Sequence, residues 1–207
     1  MTRENHTFVK ICGLRTAGDV AAAVAAGADA VGFVFAESPR RVSIDQAVAL
    51  TRNLPGSVVR VAVMRHPTQA EWDAVVARFA PDWVQTDASD LATLAVDEST
   101  YCVPVYRDTP DFDSAAFDRE TRVLFEASGS GVGERADWEK ATELALETQL
   151  MLAGGLDVDN VATAIRLVRP WGVDVSSGVE QRRGIKDPNK IEAFVHAVRK
   201  LESMDAG

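Results

Sequence analysis

Apolar residues gather in eight short runs along the chain, and between the runs they recur at helical intervals. The runs are Phe8–Cys12, Ala30–Phe35, Val58–Met64, Trp83–Gln85, Tyr101–Tyr106, Arg122–Glu126, Gln149–Ala153 and Gly172–Ser176. Short continuous apolar segments of this kind read as strands buried on both faces. After the first, Thr16 caps an Ala-rich helix that Gly27 closes, and Ser43 opens another that stops at Pro55-Gly56. Ala70, Trp72, Val75, Val76 and Phe79 make an apolar stripe over Gln69–Phe79. The same period returns over Asp137–Glu147, Asn160–Val168 and Pro188–Leu201, with Asp187 as a cap and Pro188 at a first helical position. Only the helices near Asp90–Val96 and Phe112–Arg119 look short. Eight strand-plus-helix units spread over residues 1–207 predict an α/β chain folded as one domain, a closed (β/α)8 TIM barrel. The competing architecture is an open doubly wound sheet, but no Gly-x-Gly-x-x-Gly follows the first strand.

In a barrel of this type the active residues stand at the carboxyl ends of the strands. That rule singles out Cys12, Arg40, Asp87, Glu126, Gly154, Gly155 and Ser176 before any chemistry is assumed. Composition then narrows the partners. A formal net charge of −9 argues against a nucleic-acid backbone or an anionic membrane, while leaving room for a small anionic substrate held by a local positive site. No apolar run approaches the roughly 18 residues of a membrane span, and Met1–Thr7 lacks the apolar core of a secretory signal. Two cysteines in predicted buried strands, Cys12 and Cys102, read as free thiols in a reducing compartment, which fits a cytoplasmic enzyme.

Side chains alternate along a strand, so Lys10 and Cys12 share one face and Ile11 takes the other. Facing inward, Cys12 would sit at the barrel mouth. A thiol with an ordinary pKa of about 8.5 can accept a proton near neutrality after modest lowering; the plainer reading is a buried space-filler, which is the reading for Cys102. Pro39 presents Arg40, whose fork suits a carboxylate, unless it is simply a loop arginine as Arg41 is. Gly154-Gly155 and Ser176-Ser177-Gly178 end the last two strands. Glycine turns and the start of a short helix at Ser176-Ser177-Gly178 form a phosphate cradle at a position where such barrels often carry one. Glu126 is either catalytic or merely exposed, and the Ser128–Gly133 segment after it is Gly-rich enough for a lid. His6, His66 and His196 show no ligand spacing, so neither a metal nor another cofactor is expected.

Taken together, Lys-Ile-Cys-Gly, Gly-Phe-Val-Phe with Ser-Pro-Arg, Val-Gln, Ala-Gly-Gly-Leu and Gly-Val-Asp-Val-Ser-Ser-Gly-Val-Glu with Gly-Ile-Lys-Asp resemble the phosphoribosylanthranilate isomerase family of tryptophan biosynthesis nearly end to end. The resemblance implies an Amadori rearrangement without a metal, converting the aminoaldose N-(5-phosphoribosyl)anthranilate into an aminoketose. It implies Cys12 as general base and Glu126 as general acid. Arg40 would hold the anthranilate carboxylate, and Gly154, Gly155, Ser176, Ser177 and Gly178 the phosphate. Asp174 would bind a ribose hydroxyl. The chain departs from the family pattern twice: Glu126 stands where Asp is usual, and Asp87 stands where strand four usually carries His. Glu126 as acid with Asp87 tuning it is one reading; Asp87 as the acid is its rival. Other activities compatible with the pattern are a histidine-pathway or dual-substrate aminoaldose isomerase, against which Cys12 argues, and a ligand-binding barrel without catalysis. Nothing in the sequence demands an oligomer, and a monomer is expected.

Overall fold

A computed structural model describes residues 6–112, 122–129 and 133–205. Eight parallel strands close into a barrel in sequence order: β1 (Phe8–Cys12), β2 (Ala30–Val34), β3 (Val59–Val63), β4 (Trp83–Asp87), β5 (Tyr101–Asp108), β6 (Arg122–Ala127), β7 (Gln149–Leu152) and β8 (Gly172–Val175). Pairing of β1 with β8, which sets Lys10 opposite Asp174, completes the ring. Outside it lie α1 (Ala17–Ala26), α2 (Ile44–Thr51), α3 (Gln69–Phe79), α4 (Ala88–Leu91), α5 (Trp138–Ala145), α6 (Val161–Val168) and α7 (Pro188–Asp205). The expected closed barrel is therefore present. No helix among the described residues is long and apolar enough to cross a membrane.

Local signals act as the sequence indicates. Thr16, Ser43 and Thr68 each form a capping box at the start of α1, α2 and α3, and Gly27 ends α1 in the left-handed region at φ 87°. The helix expected over Asp90–Val96 is cut to α4, because Gln69 of α3 accepts the Ala95 amide at 2.9 Å and draws the chain away. The helix expected over Phe112–Arg119 falls, beyond Phe112, outside the described residues.

The strands separate two apolar layers. Ala30, Val61, Trp83, Val103, Leu124 and Met151 fill the barrel interior, while alternate residues such as Val31, Val84, Val123 and Phe125 pack outward under the helices. At the amino-terminal end Phe8 stacks on Trp83 and Trp171 at 5.1 and 4.6 Å. The Arg122 guanidinium lies 4.5 Å from the Trp171 ring centre and 5.1 Å from that of Tyr101, closing the floor. Past the carboxyl end of β8, a 3-10 turn (Ser177–Val179) leads into an antiparallel hairpin of β9 (Glu180–Arg182) and β10 (Ile185–Lys186).

Candidate active site

The end of β1 carries Lys10 and Cys12 into the barrel, as alternation requires. Both are buried. Lys10 Nζ donates to Asp174 Oδ1 at 2.9 Å, across the β1–β8 seam. Burial by itself would lower the Lys10 pKa, but the Asp174 carboxylate outweighs it and holds the ammonium charged. The Cys12 thiol goes the other way. Enclosure raises its pKa above the ordinary value, and the Lys10 and Lys186 charges offset that only in part. The modest lowering that a base working near neutrality would need is therefore not present in the resting site, because the strand end is buried.

Next to it, Arg40 is buried and its fork is already engaged: Nε and Nη2 donate to Glu180 at 2.6 and 3.0 Å. Lys186 Nζ lies 3.2 Å from the same carboxylate, and also donates to the Ser176 carbonyl at 2.8 Å. Burial disfavours the Glu180 charge, yet Arg40 and Lys186 hold its pKa below the usual carboxylate range. Conversely, burial lowers Lys186, with Glu180 opposing. Glu180 and Lys186 lie in the quoted Gly-Val-Asp-Val-Ser-Ser-Gly-Val-Glu and Gly-Ile-Lys-Asp motifs, but the sequence reading assigned them no role. The meeting of Glu180 with Arg40 and Lys186 depends on the hairpin after β8.

On the far side of the mouth, Asp87 ends β4 and Glu126 stands near the end of β6. Between them β5 supplies Arg107, whose guanidinium pairs with Asp87 and lies 3.1 Å from Glu126 Oε1. Sequence reading missed Arg107 because it ended the strand at Tyr106. Extending the Val103, Val105 alternation by two residues would have found it. Asp87 is also faced by His66, at 3.6 Å, which sits in the left-handed region at φ 49° and pairs with Asp90 at 2.9 Å. Along the chain the histidines show no ligand spacing, whereas the fold brings ligand atoms of His66, Asp87 and Asp90 within 4.8 Å of one another. Each of these side chains already has a polar partner, His66 on Asp90 and Asp87 on Arg107.

One cavity of about 240 Å³ gathers Cys12, Arg40, Gln85, Arg107, Glu126, Asp174 and Ser176 in its wall. A smaller recess of about 40 Å³ adjoins it, sharing Glu126, Asp174 and Ser176 and lined further by Gly154, Gly155 and Ser177. Gly154 and Gly155 both have positive φ, and a Cβ on Gly154 would come within 2.8 Å of the Ala127 amide nitrogen. Gly178 packs behind, where a Cβ would meet the Leu156 carbonyl oxygen at 1.9 Å. The glycines thus let the loops after β6, β7 and β8 close on one another. Gly133 borders the same recess, while residues 130–132 of the expected lid lie outside the described residues. A wider cleft of about 470 Å³ opens between α2 and α3 and meets the mouth at Ala36, Glu37, Met64 and Arg65, but holds none of Cys12, Glu126 or Asp174.

A closed (β/α)8 ring with titratable groups from several strand ends converging on one mouth is the architecture of a (β/α)8-barrel enzyme. The family model described as N-(5′-phosphoribosyl)anthranilate isomerase matches residues 9–197, and the chain belongs to that family. It is 37% identical over 202 residues to the N-(5′-phosphoribosyl)anthranilate isomerase of Listeria welshimeri, covering 94% of this chain and 100% of the relative. To the enzyme of the same name from Pseudomonas fluorescens it is 40% identical over 205 residues, covering 94% and 97%. Among solved structures, the phosphoribosyl anthranilate isomerase of Thermotoga maritima superposes with a TM-score of 0.82 at 30% identity, over 94% of this chain and 100% of that one. A phosphoribosyl anthranilate isomerase in complex with reduced 1-(o-carboxyphenylamino)-1-deoxyribulose 5-phosphate gives the same TM-score at 31% identity, again over 94% and 100%.

Proposed function

We propose that Cys12 and Glu126 are the base and acid with which this isomerase of tryptophan biosynthesis rearranges N-(5-phosphoribosyl)anthranilate to 1-(2-carboxyphenylamino)-1-deoxyribulose 5-phosphate. The observation that carries the reading is the single cavity in whose wall a buried thiol and a carboxylate both stand, beside a recess of glycines and serines. In the recess Gly154, Gly155, Ser176 and Ser177 receive the phosphate, and Gly178 lets the loop approach closely. Arg40, aimed by Glu180, takes the anthranilate carboxylate. Asp174, held by Lys10, meets a ribose hydroxyl.

Glu126 gives its proton to the ribose ring oxygen, and the ring opens to a protonated imine. Cys12 then removes the proton on C2. The resulting enol-amine tautomerises to the ketone. Arg107 lies against both carboxylates and holds Glu126 at the cavity wall. Asp87 neutralises Arg107 and so positions Glu126. Cys12 acts as its thiolate, having given its own proton to solvent beforehand; burial disfavours that form, and the Lys10 ammonium and the iminium charge favour it at the moment of transfer.

The reading makes the chain a cytoplasmic enzyme acting as a monomer, since the mouth places thiol and carboxylate together without a residue from a second copy. Sedimentation at assay concentration checks the monomer. Fluorescence of N-(5-phosphoribosyl)anthranilate checks the chemistry: the wild type consumes it, and Cys12→Ser is slower by about 10² to 10⁴ fold, the range for removing a general base. Activity that survives Cys12→Ser would mean the base lies elsewhere.

A further inference from the structure

Gln85 is 7% exposed and stands on β4 in the wall of the cavity shared by Cys12, Arg107 and Glu126. Its Oε1 is buried and has no hydrogen-bond partner among the described residues. A buried acceptor without a donor keeps its full desolvation cost, so such atoms are normally satisfied. The residues in register with Gln85 on either side, Val63 and Val103, carry no side-chain donor. On β5 the Arg107 guanidinium lines the same cavity but makes no hydrogen bond to Gln85 Oε1 and is engaged with Asp87. A molecule entering the cavity can supply the missing donor.

Resting on the reaction proposed above, we infer that Gln85 Oε1 accepts a hydrogen bond from the N–H that joins the aryl ring to the sugar, making Gln85 the residue that selects an amino-sugar phosphate. That N–H is present at every stage. It is a neutral aniline N–H in the aminoaldose, carries the positive charge in the protonated imine, and is neutral again in the aminoketose. A carboxylate in this position would tend to take the proton away. An amide carbonyl cannot hold it, so it stabilises the iminium and leaves it reactive. Within the substrate the ortho carboxylate competes for the same N–H; Arg40, by engaging the carboxylate, releases the N–H to Gln85. The hydrogen bond strengthens as charge develops, which places its effect on kcat more than on KM.

The test uses two product analogues: reduced 1-(2-carboxyphenylamino)-1-deoxyribulose 5-phosphate, and the same molecule with an ether oxygen in place of the N–H. Calorimetric titration of the wild-type chain is expected to show the amine bound about tenfold more tightly, the value of one hydrogen bond near 1.4 kcal/mol. In Gln85→Met, and in Gln85→Leu as a second variant, the two affinities should agree within about twofold. Equal affinities in the wild type overturn the assignment without needing any variant to fold. A tenfold preference that persists in a folded Gln85→Met or Gln85→Leu overturns it as well. If neither analogue binds the wild type, the reading of the whole site fails, and that outcome is distinct from equal binding of both.

Discussion

On the β8–β1–β2 side of the mouth, buried charges meet partners of opposite sign at short range: Lys10 with Asp174, and Arg40 and Lys186 with Glu180. On the β4–β5–β6 side, two carboxylates share one guanidinium, and Arg107 Nε, buried, has no partner among the described residues. The first arrangement is closed and fixes geometry. Its pairs hold the β1 strand end against β8 and bring the thiol and Ser176 to one spot, with the Ser176 hydroxyl donating to the Cys12 carbonyl at 3.2 Å. The second, the open side, gathers two carboxylates on one guanidinium, with His66 also against Asp87. In the proposed reaction the closed side fixes the base and the open side supplies the acid. The two departures that the family resemblance implies, at Asp87 and Glu126, both fall on the open side.

The sharpest way to break this comparison is to remove each carboxylate of the open side in turn. Glu126→Gln should lower kcat by about 10² to 10³ fold, within the range for losing a general acid, with the affinity for a product analogue nearly kept. Asp87→Asn should leave kcat within about tenfold, because it only balances Arg107. Steady-state assays decide it. A near-inactive Asp87→Asn beside an active Glu126→Gln would exchange the two roles.

The closed side is tested through Lys10. Lys10→Met leaves Asp174 buried without its partner, and breaking a buried pair costs about 3–5 kcal/mol, which denaturant unfolding would show. The same change should move the thiol. The folded state holds the Cys12 proton to higher pH than the unfolded chain, so this group's contribution is complete below the ordinary thiol pKa of about 8.5 and is lost as pH rises through the higher folded value. Wild-type stability should therefore decline on the alkaline side. In a Cys102→Ser background, thiolate absorbance should appear at higher pH than for an ordinary thiol, and later still in Lys10→Met, because the lysine charge is what opposes burial. Thiolate appearing earlier in Lys10→Met would show that the ammonium does not stabilise it.

What could be read from the sequence follows strand ends and local caps. Cys12, Gly154, Gly155, Ser176 and Ser177 were legible because each lies at or next to the end of a recognisable strand, and Thr16 and Gly27 because a cap needs only its neighbours. Arg107 was not, since β5 runs two residues past its apolar stretch, to Asp108, sustained by pairing of Arg107 with Glu126 and Asp108 with Ala127. Register with another strand leaves no mark on the residue itself. The engagement of Arg40 by Glu180 spans 140 positions and depends on a hairpin with no apolar run of its own. The direction of the Cys12 shift depends on how fully the fold encloses a strand end, which spacing does not record.

The smallest effect is expected at the opposite end of the acid-bearing strand. Arg122 opens β6 four residues before Glu126, with its guanidinium against the Trp171, Tyr101 and Trp83 rings and its Nε donating to Gln149 Oε1 at 2.8 Å. Partly exposed cation–π contacts contribute about 0.5–1 kcal/mol, rising toward 2 when desolvated. Arg122→Ala should therefore reduce stability by about 1–2 kcal/mol in urea unfolding. It should leave kcat and KM unchanged, because Leu124, buried in the barrel interior, separates the floor from the mouth on the same strand face. That outcome would confine the open character of the acid side to its last turn of chain, where Asp87, Arg107 and Glu126 meet. A fall in kcat with Arg122→Ala would mean instead that Glu126 is aimed from below, through the whole length of β6, and that the two sides of the mouth differ in how their strands are anchored as well as in how their charges are paired.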